Sequence, residues 1–504
     1  MSNVARTDVA GTLAQSRLGV FSVIGFALTA AAPLMVVGGV VTTGWAVTGT
    51  LAFSLAFVIM AAVLSLFSIG YVAMARHVTN AGSFYTYLAR GLSRRLAVGG
   101  SLVQLLAYNL LQVGLYGIFG ASMASLISNR LGQDIPWWTY SLAAWAIVAA
   151  LGVLRVDVNS KVLAVALAAE ILVVVVFDLV FLANPAGGEV SFAAFSPGEL
   201  SGPALGAVLV TVTTAYVGFE GGPVYSEESK DPRRTVPAAT YLSLCLMACL
   251  YAVTAWAMSV AVGSDKVVAT AQEHEADMMF RVAADHLGGS FIVDLGHVLL
   301  LTSIFAGLLS FHSAVARASF ALGRERVLPA VFGRTHAQSG SPMIGSIVQS
   351  GIAFVVVIGY ALAGADPLVN LFFWLGMTGG LGVLILLTAT SFAVLGFFAK
   401  NPGDEPLRRR VLAPGLAGIA LLGVLYLALT NYASLLGVDP DSPLRWMFPA
   451  TYGLVAVIGV LYGQFIATAR PEVHAGIGFG ANAISSYAEF GLTTPSESTT
   501  GSVR

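Results

Sequence analysis

Charge is what this sequence has least of. Only 10% of its 504 residues are Asp, Glu, Lys or Arg, against about 25% in a soluble domain, and a water-facing surface cannot be assembled from so few. The net charge of −1 leaves no basic excess to draw a nucleic acid, so none is expected as a partner. The two cysteines, Cys245 and Cys249, lie four apart in one apolar segment and read as small packing residues rather than ligands or a disulfide framework. His297 and His312 are too far apart in sequence for a metal site and are predicted to make packing or polar contacts, so neither metal nor cofactor is expected. No His-Glu-x-x-His run and no paired intramembrane aspartates in a catalytic motif occur, so the sequence does not point to an enzyme.

What is abundant is apolar residue. The hydrophobic fraction is 57% and the mean hydropathy +0.83, and apolar segments recur from Leu18 to Ile466 with no soluble block between them. About 20 apolar residues cross the hydrocarbon core as a helix, because a helix satisfies its own backbone groups. Twelve such segments are predicted, at 18–42, 48–75, 96–127, 138–154, 161–183, 204–225, 238–262, 291–322, 342–363, 368–398, 412–435 and 446–467. The third, eighth and tenth are long enough to tilt or to extend past the bilayer. The expected fold class is an all-α integral membrane protein, with a polar segment at 1–17, a twelve-helix domain at 18–467 and a disordered tail at 468–504 that is rich in Gly, Ser and Thr. The run from Leu18 to Thr42 is too long for a signal-peptide core and is expected to stay as the first span.

Orientation follows from Lys and Arg in the loops. With the N-terminus inside, only Arg130, Lys266, Arg281 and Arg445 of the 25 basic residues fall outside. One missed helix would invert every later loop, so this asymmetry supports the span count. The expectation is a multi-pass protein of the cell membrane with both termini cytoplasmic and the lipid bilayer as its surroundings. The outside stretch from Gly263 to Ser290 carries five acidic residues and reads as a solvated helical loop.

Two spans are interrupted alike. The first reads Thr29, Ala30, Ala31, Ala32, Pro33, and the sixth reads Gly218, Phe219, Glu220, Gly221, Gly222, Pro223. Small residues directly precede a proline, which removes a backbone donor and disfavours helix in the residue before it. Irregular backbone at membrane depth is tolerated only where it lines a cavity or is buried in protein, so paired breaks point to a central binding site for a small molecule.

Glu220 falls inside the second break. A carboxylate at the bilayer centre costs roughly 2.5–3.5 kcal/mol on insertion scales, so it faces a wet cavity, finds a partner or carries a proton. Glu170 lies near the middle of the fifth span and reads equally as a proton carrier or a structural hydrogen-bonding group. Asp178, eight residues on, is assigned no role.

The stretch Tyr216, Val217, Gly218, Phe219, Glu220, followed by Glu227, Glu228, Ser229, Lys230, Asp231, Pro232, Arg233, Arg234, Thr235, Val236, Pro237 and Ala238, resembles the sixth helix and following loop of the amino acid, polyamine and organocation permease superfamily. Two further stretches agree: Ala81 to Tyr87 after the second span, and Gly323 to Pro329 after the eighth. The resemblance covers residues 18–400 and extends to the last two spans by count alone.

The resemblance implies two inverted five-helix repeats, helices one to five and six to ten, with the substrate, an amino acid or related amine, held between the unwound parts of helices one and six. Members of the superfamily usually carry Gly-x-Gly at the first break; here Ala30, Ala31 and Ala32 stand there, which leaves carboxylate recognition and substrate class open. Phe219 matches a position where an aromatic lid is often found. The expected site is therefore Ala30, Ala31, Ala32, Gly218, Phe219, Glu220 and Gly221. Proton coupling through Glu220 or Glu170 is the expectation. Sodium is the competitor, since hydroxyls of Thr302, Ser303, Ser310 and Ser313 on the eighth helix are available beside helix-one carbonyls. Uptake, exchange and polyamine or organic-cation transport stay open.

Overall fold

The computed structural model describes residues 19–78, 83–154, 160–200, 202, 204–222, 229–288, 290–335 and 341–480. Among these every regular element is helical. The first span is built from α1 (Val20–Ala31), α2 (Pro33–Met35), a π turn at Val36–Val40 and α3 (Val41–Thr48). Then come α4 (Phe53–Ala75), the short α5 (Phe84–Gly91), and the spans α6 (Arg94–Leu131), α7 (Trp137–Leu154) and α8 (Ser160–Ala183). The sixth span starts as α9 (Ala204–Ala215), and α10 (Pro232–Val262) is followed by two short helices, α11 (Val267–His274) and α12 (Met278–Leu287). The remainder is α13 (Ser290–Arg324), α14 (Met343–Leu362), α15 (Leu375–Lys400) entered through a π segment at Pro367–Trp374, α16 (Ala413–Thr430), α17 (Tyr432–Leu436), α18 (Leu444–Ala469) and α19 (Pro471–Gly476).

Among the described residues eleven stretches are long and apolar enough to cross a membrane, and the shorter apolar helix Trp137–Val153 completes the twelve expected from the sequence. Helix ends are closed locally. Ser93 accepts from the Leu96 amide to start α6, and Asp366 accepts from the amides of Leu368 and Val369 ahead of α15. Helices pack closest where side chains are smallest: a Cβ on Gly91 would strike the carbonyl of Ala393, so α5 and α15 touch backbone to backbone.

The structure departs from the sequence expectation in three places. Cys245 and Cys249 are exposed on the outer face of α10 rather than packed inside. The described part of this loop, 263–288, is docked rather than solvated, because α12 is amphipathic and buries Met278, Met279 and Phe280. Asp277, just before it, bonds His297 Nε2 at 2.9 Å and the Ser125 hydroxyl at 3.0 Å. Burial works to raise its carboxyl pKa, but His297, Ser125 and Arg281 together hold it below the usual aspartate range. Finally, Pro471–Gly476 and the residues to 480, read from sequence as part of the tail, form α19 and a buried turn with Val473 and Ile477 inside.

Candidate functional site

Both interruptions fall where the sequence placed them, but they differ in kind. Ala30 and Ala31 are still helical, and only Ala32 leaves the helix, with φ 47° and ψ 70°. Its amide closes α1 by donating to the Leu28 carbonyl. Pro33 then starts α2, where its missing N–H costs no hydrogen bond. The sixth span is opened more widely: α9 stops at Ala215, Gly218 takes φ 121°, and 219–222 continues as a tight 3-10 turn. Pro223, Glu227 and Glu228, like Ala81 and Gly82 of the second motif, lie outside the described residues.

The two breaks meet at Gly218. A Cβ there would lie 2.9 Å from the Ala27 carbonyl oxygen and 3.1 Å from the Ala31 nitrogen, so neither the space nor the positive φ suits any residue but glycine.

Glu220 holds the second break in shape. Its buried carboxylate accepts the Gly218 amide at 2.8 Å and the Tyr108 hydroxyl at 3.0 Å. The Tyr71 hydroxyl donates to the Glu220 carbonyl at 3.0 Å and lies 3.1 Å from Ser83 Oγ. Phe219 packs edge-on against Phe67, with ring centroids 6.1 Å apart. Tyr71 and Tyr108 were not singled out from the sequence. Their signal was a hydroxyl within an apolar span, which needs a partner when buried, although nothing local says which partner.

A central cavity of about 30 Å³ lies against these breaks, lined by Ala30 and Ala31 together with Met35, Leu111, Phe311 and Phe372 among others. That volume admits a water or two. Of the expected site residues only Ala30 and Ala31 line it; Ala32 lines a second cavity, and Gly218, Phe219, Glu220 and Gly221 stand behind it.

Glu170 is 4% exposed on α8, and its carboxyl lies near Ser303 on α13 and Leu34, in the first turn after the first break. Each break thus has one buried acid beside it. Two further buried polar groups have partners: Asp178 accepts from Thr254 at 2.9 Å, and His312 joins Gln112 and Ser346 at 3.2 and 2.6 Å. That is the polar-contact role expected for the histidines.

The family model described as Amino acid permease matches residues 18–461. The low-affinity putrescine importer PlaP of Escherichia coli (strain K12) is 24% identical over 384 residues, or 74% of this chain and 79% of the importer. The cationic amino acid transporter 4 of Mus musculus is 27% identical over 404 residues, covering 74% of this chain and 60% of that protein. The branched-chain amino acid permease BcaP of Bacillus subtilis (strain 168) is 24% identical over 421 residues, 79% of this chain and 86% of the permease. These relatives are transporters and not enzymes. With the match spanning nearly the whole helical domain, the chain belongs to the amino acid permease family, within the amino acid, polyamine and organocation superfamily, and is a multi-pass membrane transporter of amino acids or amines.

Proposed function

We propose that this chain is a secondary active transporter that takes up an amino acid with an uncharged, apolar side chain by alternating access, coupled to protons. The observation that carries the reading is the meeting of the two helix breaks beside a small, apolar central cavity. Broken helix ends present orphan amides to a carboxylate and orphan carbonyls to an ammonium, so a zwitterion can be held at Ala30 to Ala32 and Gly218 to Gly221 without a side-chain ion pair. The cavity has no room for an amino acid as it stands, which suits a closed state between two open ones. Its lining, with Met35, Leu111, Phe311 and Phe372, has no carboxylate to pair with a second ammonium. This favours a substrate like the one named for the branched-chain relative over one like putrescine.

Glu170 is the coupling residue in this reading, and Glu220 positions the second break. Glu170, on α8, lies near both α13 and the start of α2. A lone carboxyl desolvated at this depth can load a proton on one side and release it on the other, which is the step assigned to Glu170. The charge asymmetry of the loops supports a cell-membrane protein with both termini cytoplasmic.

Uptake into proteoliposomes, with imposed proton or sodium gradients, tests the proposal. Leucine and valine are expected to accumulate under a proton gradient, with lysine and putrescine poorly taken up. Glu170→Gln is expected to lose accumulation and keep exchange, and Ala31→Trp and Gly221→Trp to abolish uptake while the protein stays folded. Accumulation that tracks sodium at fixed pH, or that survives Glu170→Gln, overturns the coupling. Normal transport by both Trp variants overturns the site.

A further inference from the structure

Successive residues of the first break face different cavities. Ala30 and Ala31 line the small central one, and Ala32 lines a cavity of about 660 Å³ bounded by α6, α7, α8 and α13. That volume is within the roughly 300–1,000 Å³ of small-molecule pockets. Its wall is apolar, with Met123, Leu167, Phe305 and Leu309 on it. Ile147 and Val298, also on the wall, are 51% and 50% exposed, so the cavity opens on the outer, lipid-facing surface. Against that apolar wall stands, among the described residues, one charge-bearing side chain, Glu170, with Ser303 near it and Thr302 also on the wall. The Tyr140 hydroxyl, on the same wall, is buried and has no hydrogen-bond partner among the described residues.

The chemistry of this wall selects an occupant. A hydrocarbon body fits the lining, and each methylene it buries there adds to binding. A cation among apolar side chains is costly when unpaired, and Glu170 supplies the partner, while hydroxyl oxygens of Ser303 and Thr302 on the wall can accept remaining N–H groups. A fatty acid would set a second carboxylate against Glu170, and a neutral alcohol would gain no ion pair. We propose that the lateral cavity is a binding site for a lipophilic primary amine, with its ammonium on Glu170 and its alkyl chain between α7, α8 and α13. The assignment stands whether or not Glu170 couples transport.

Binding of labelled octylamine to the full chain in lipid nanodiscs tests it, with empty nanodiscs subtracted and with octanol and octanoate as comparison probes. No substrate or gradient is present, so the outcome does not depend on the transport reading. Saturable binding of one octylamine per chain is expected, with octanol and octanoate at least tenfold weaker. Glu170→Gln is expected to weaken octylamine at least tenfold and to leave octanol unchanged. Ala144→Phe, a buried wall position on α7, is expected to remove octylamine binding while uptake of the transported amino acid persists. Equal binding of octylamine and octanol, or octylamine binding unaffected by Glu170→Gln, would overturn the proposal, and either result is readable even where Ala144→Phe does not fold.

Discussion

At Gly218 two requirements coincide, a positive φ and a backbone neighbour on each side, and the transport reading depends on both. Gly218→Ala is expected to cost about 1–3 kcal/mol in backbone strain and to push the breaks apart at Ala27 and Ala31, so uptake is lost and the thermal midpoint falls. Ala32 is the opposite case: an alanine already held at φ 47°, where glycine removes strain and gives back only unfolded-state entropy. Ala32→Gly is expected to keep uptake and to melt at the same temperature or higher. A larger loss of stability for Ala32→Gly than for Gly218→Ala would show that the break geometry is misread. The same contrast explains why three alanines suffice where Gly-x-Gly is usual: only one of the three leaves the helix. The sequence made the breaks legible through Pro33 and Gly218. It hid Tyr71 and Tyr108, because their link to Glu220 joins residues 149 and 112 positions apart, and no local pattern encodes such a contact.

Spans are the most legible elements, since apolar length alone determines them. Their ends are less so. The first span runs to Thr48 rather than Thr42, because the Thr42 hydroxyl bonds back to the Gly38 carbonyl at 2.8 Å and hides its polarity within the helix. The docked segment 471–480 was illegible for the converse reason: its few apolar residues lie among glycines, and its anchor is distant. That anchor is Glu325, whose buried carboxylate accepts the Tyr85 hydroxyl at 2.6 Å and the amides of Gly478 and Gly480 at 2.7 and 2.6 Å. Burial pushes the carboxyl pKa up, and these three donors push against it. Arg90 and Arg94 lie over the Phe479 ring at 4.7 and 5.9 Å from its centroid, which adds cation–π attraction. The segment therefore ties α5 to the turn after α13. Truncation after Arg470 and Glu325→Ala are each expected to lower the thermal midpoint, and the double variant to lose less than the two losses combined. Hydrogen bonds to a charged group are worth about 1.5–3 kcal/mol, so a coupling of that order is expected in a double-mutant cycle. Strict additivity would mean that the tail and Glu325 do not support each other.

For the molecule as a whole, loop charges and three-dimensional structure give independent evidence on which loops share a side. Arg76 after α4 and Arg409 before α16 both pair with Glu405, at 3.4 and 3.2 Å, so these loops occupy one end of the bundle. Arg90 and Arg94 meet the chain's last described residues, which places the C-terminal segment beside the start of α6. At the far end of α6, Arg130 pairs with Asp294 near the start of α13. The charge rule had already grouped Arg76, Arg90, Arg94 and Arg409 together and set Arg130 apart, and the ion pairs agree with it without reference to any membrane. What remains is which end faces the cytoplasm, and single cysteines read with a membrane-impermeant maleimide decide it. The parent for this experiment must lack Cys245 and Cys249, because both are exposed. Ser229, the natural choice in the loop after the second break, is only 4% exposed, so a cysteine there would stay silent on either side. Its exposed neighbour Lys230 and the exposed Gly403 serve for one end, and the exposed Asp265 for the other. In intact cells Asp265→Cys is expected to react, while Lys230→Cys and Gly403→Cys react only after permeabilisation. Reaction of Lys230→Cys and Gly403→Cys from outside, with Asp265→Cys protected, would invert the assigned orientation. Disagreement between Lys230→Cys and Gly403→Cys would instead break the span count, because four spans separate those two loops and an even number must return the chain to the same side.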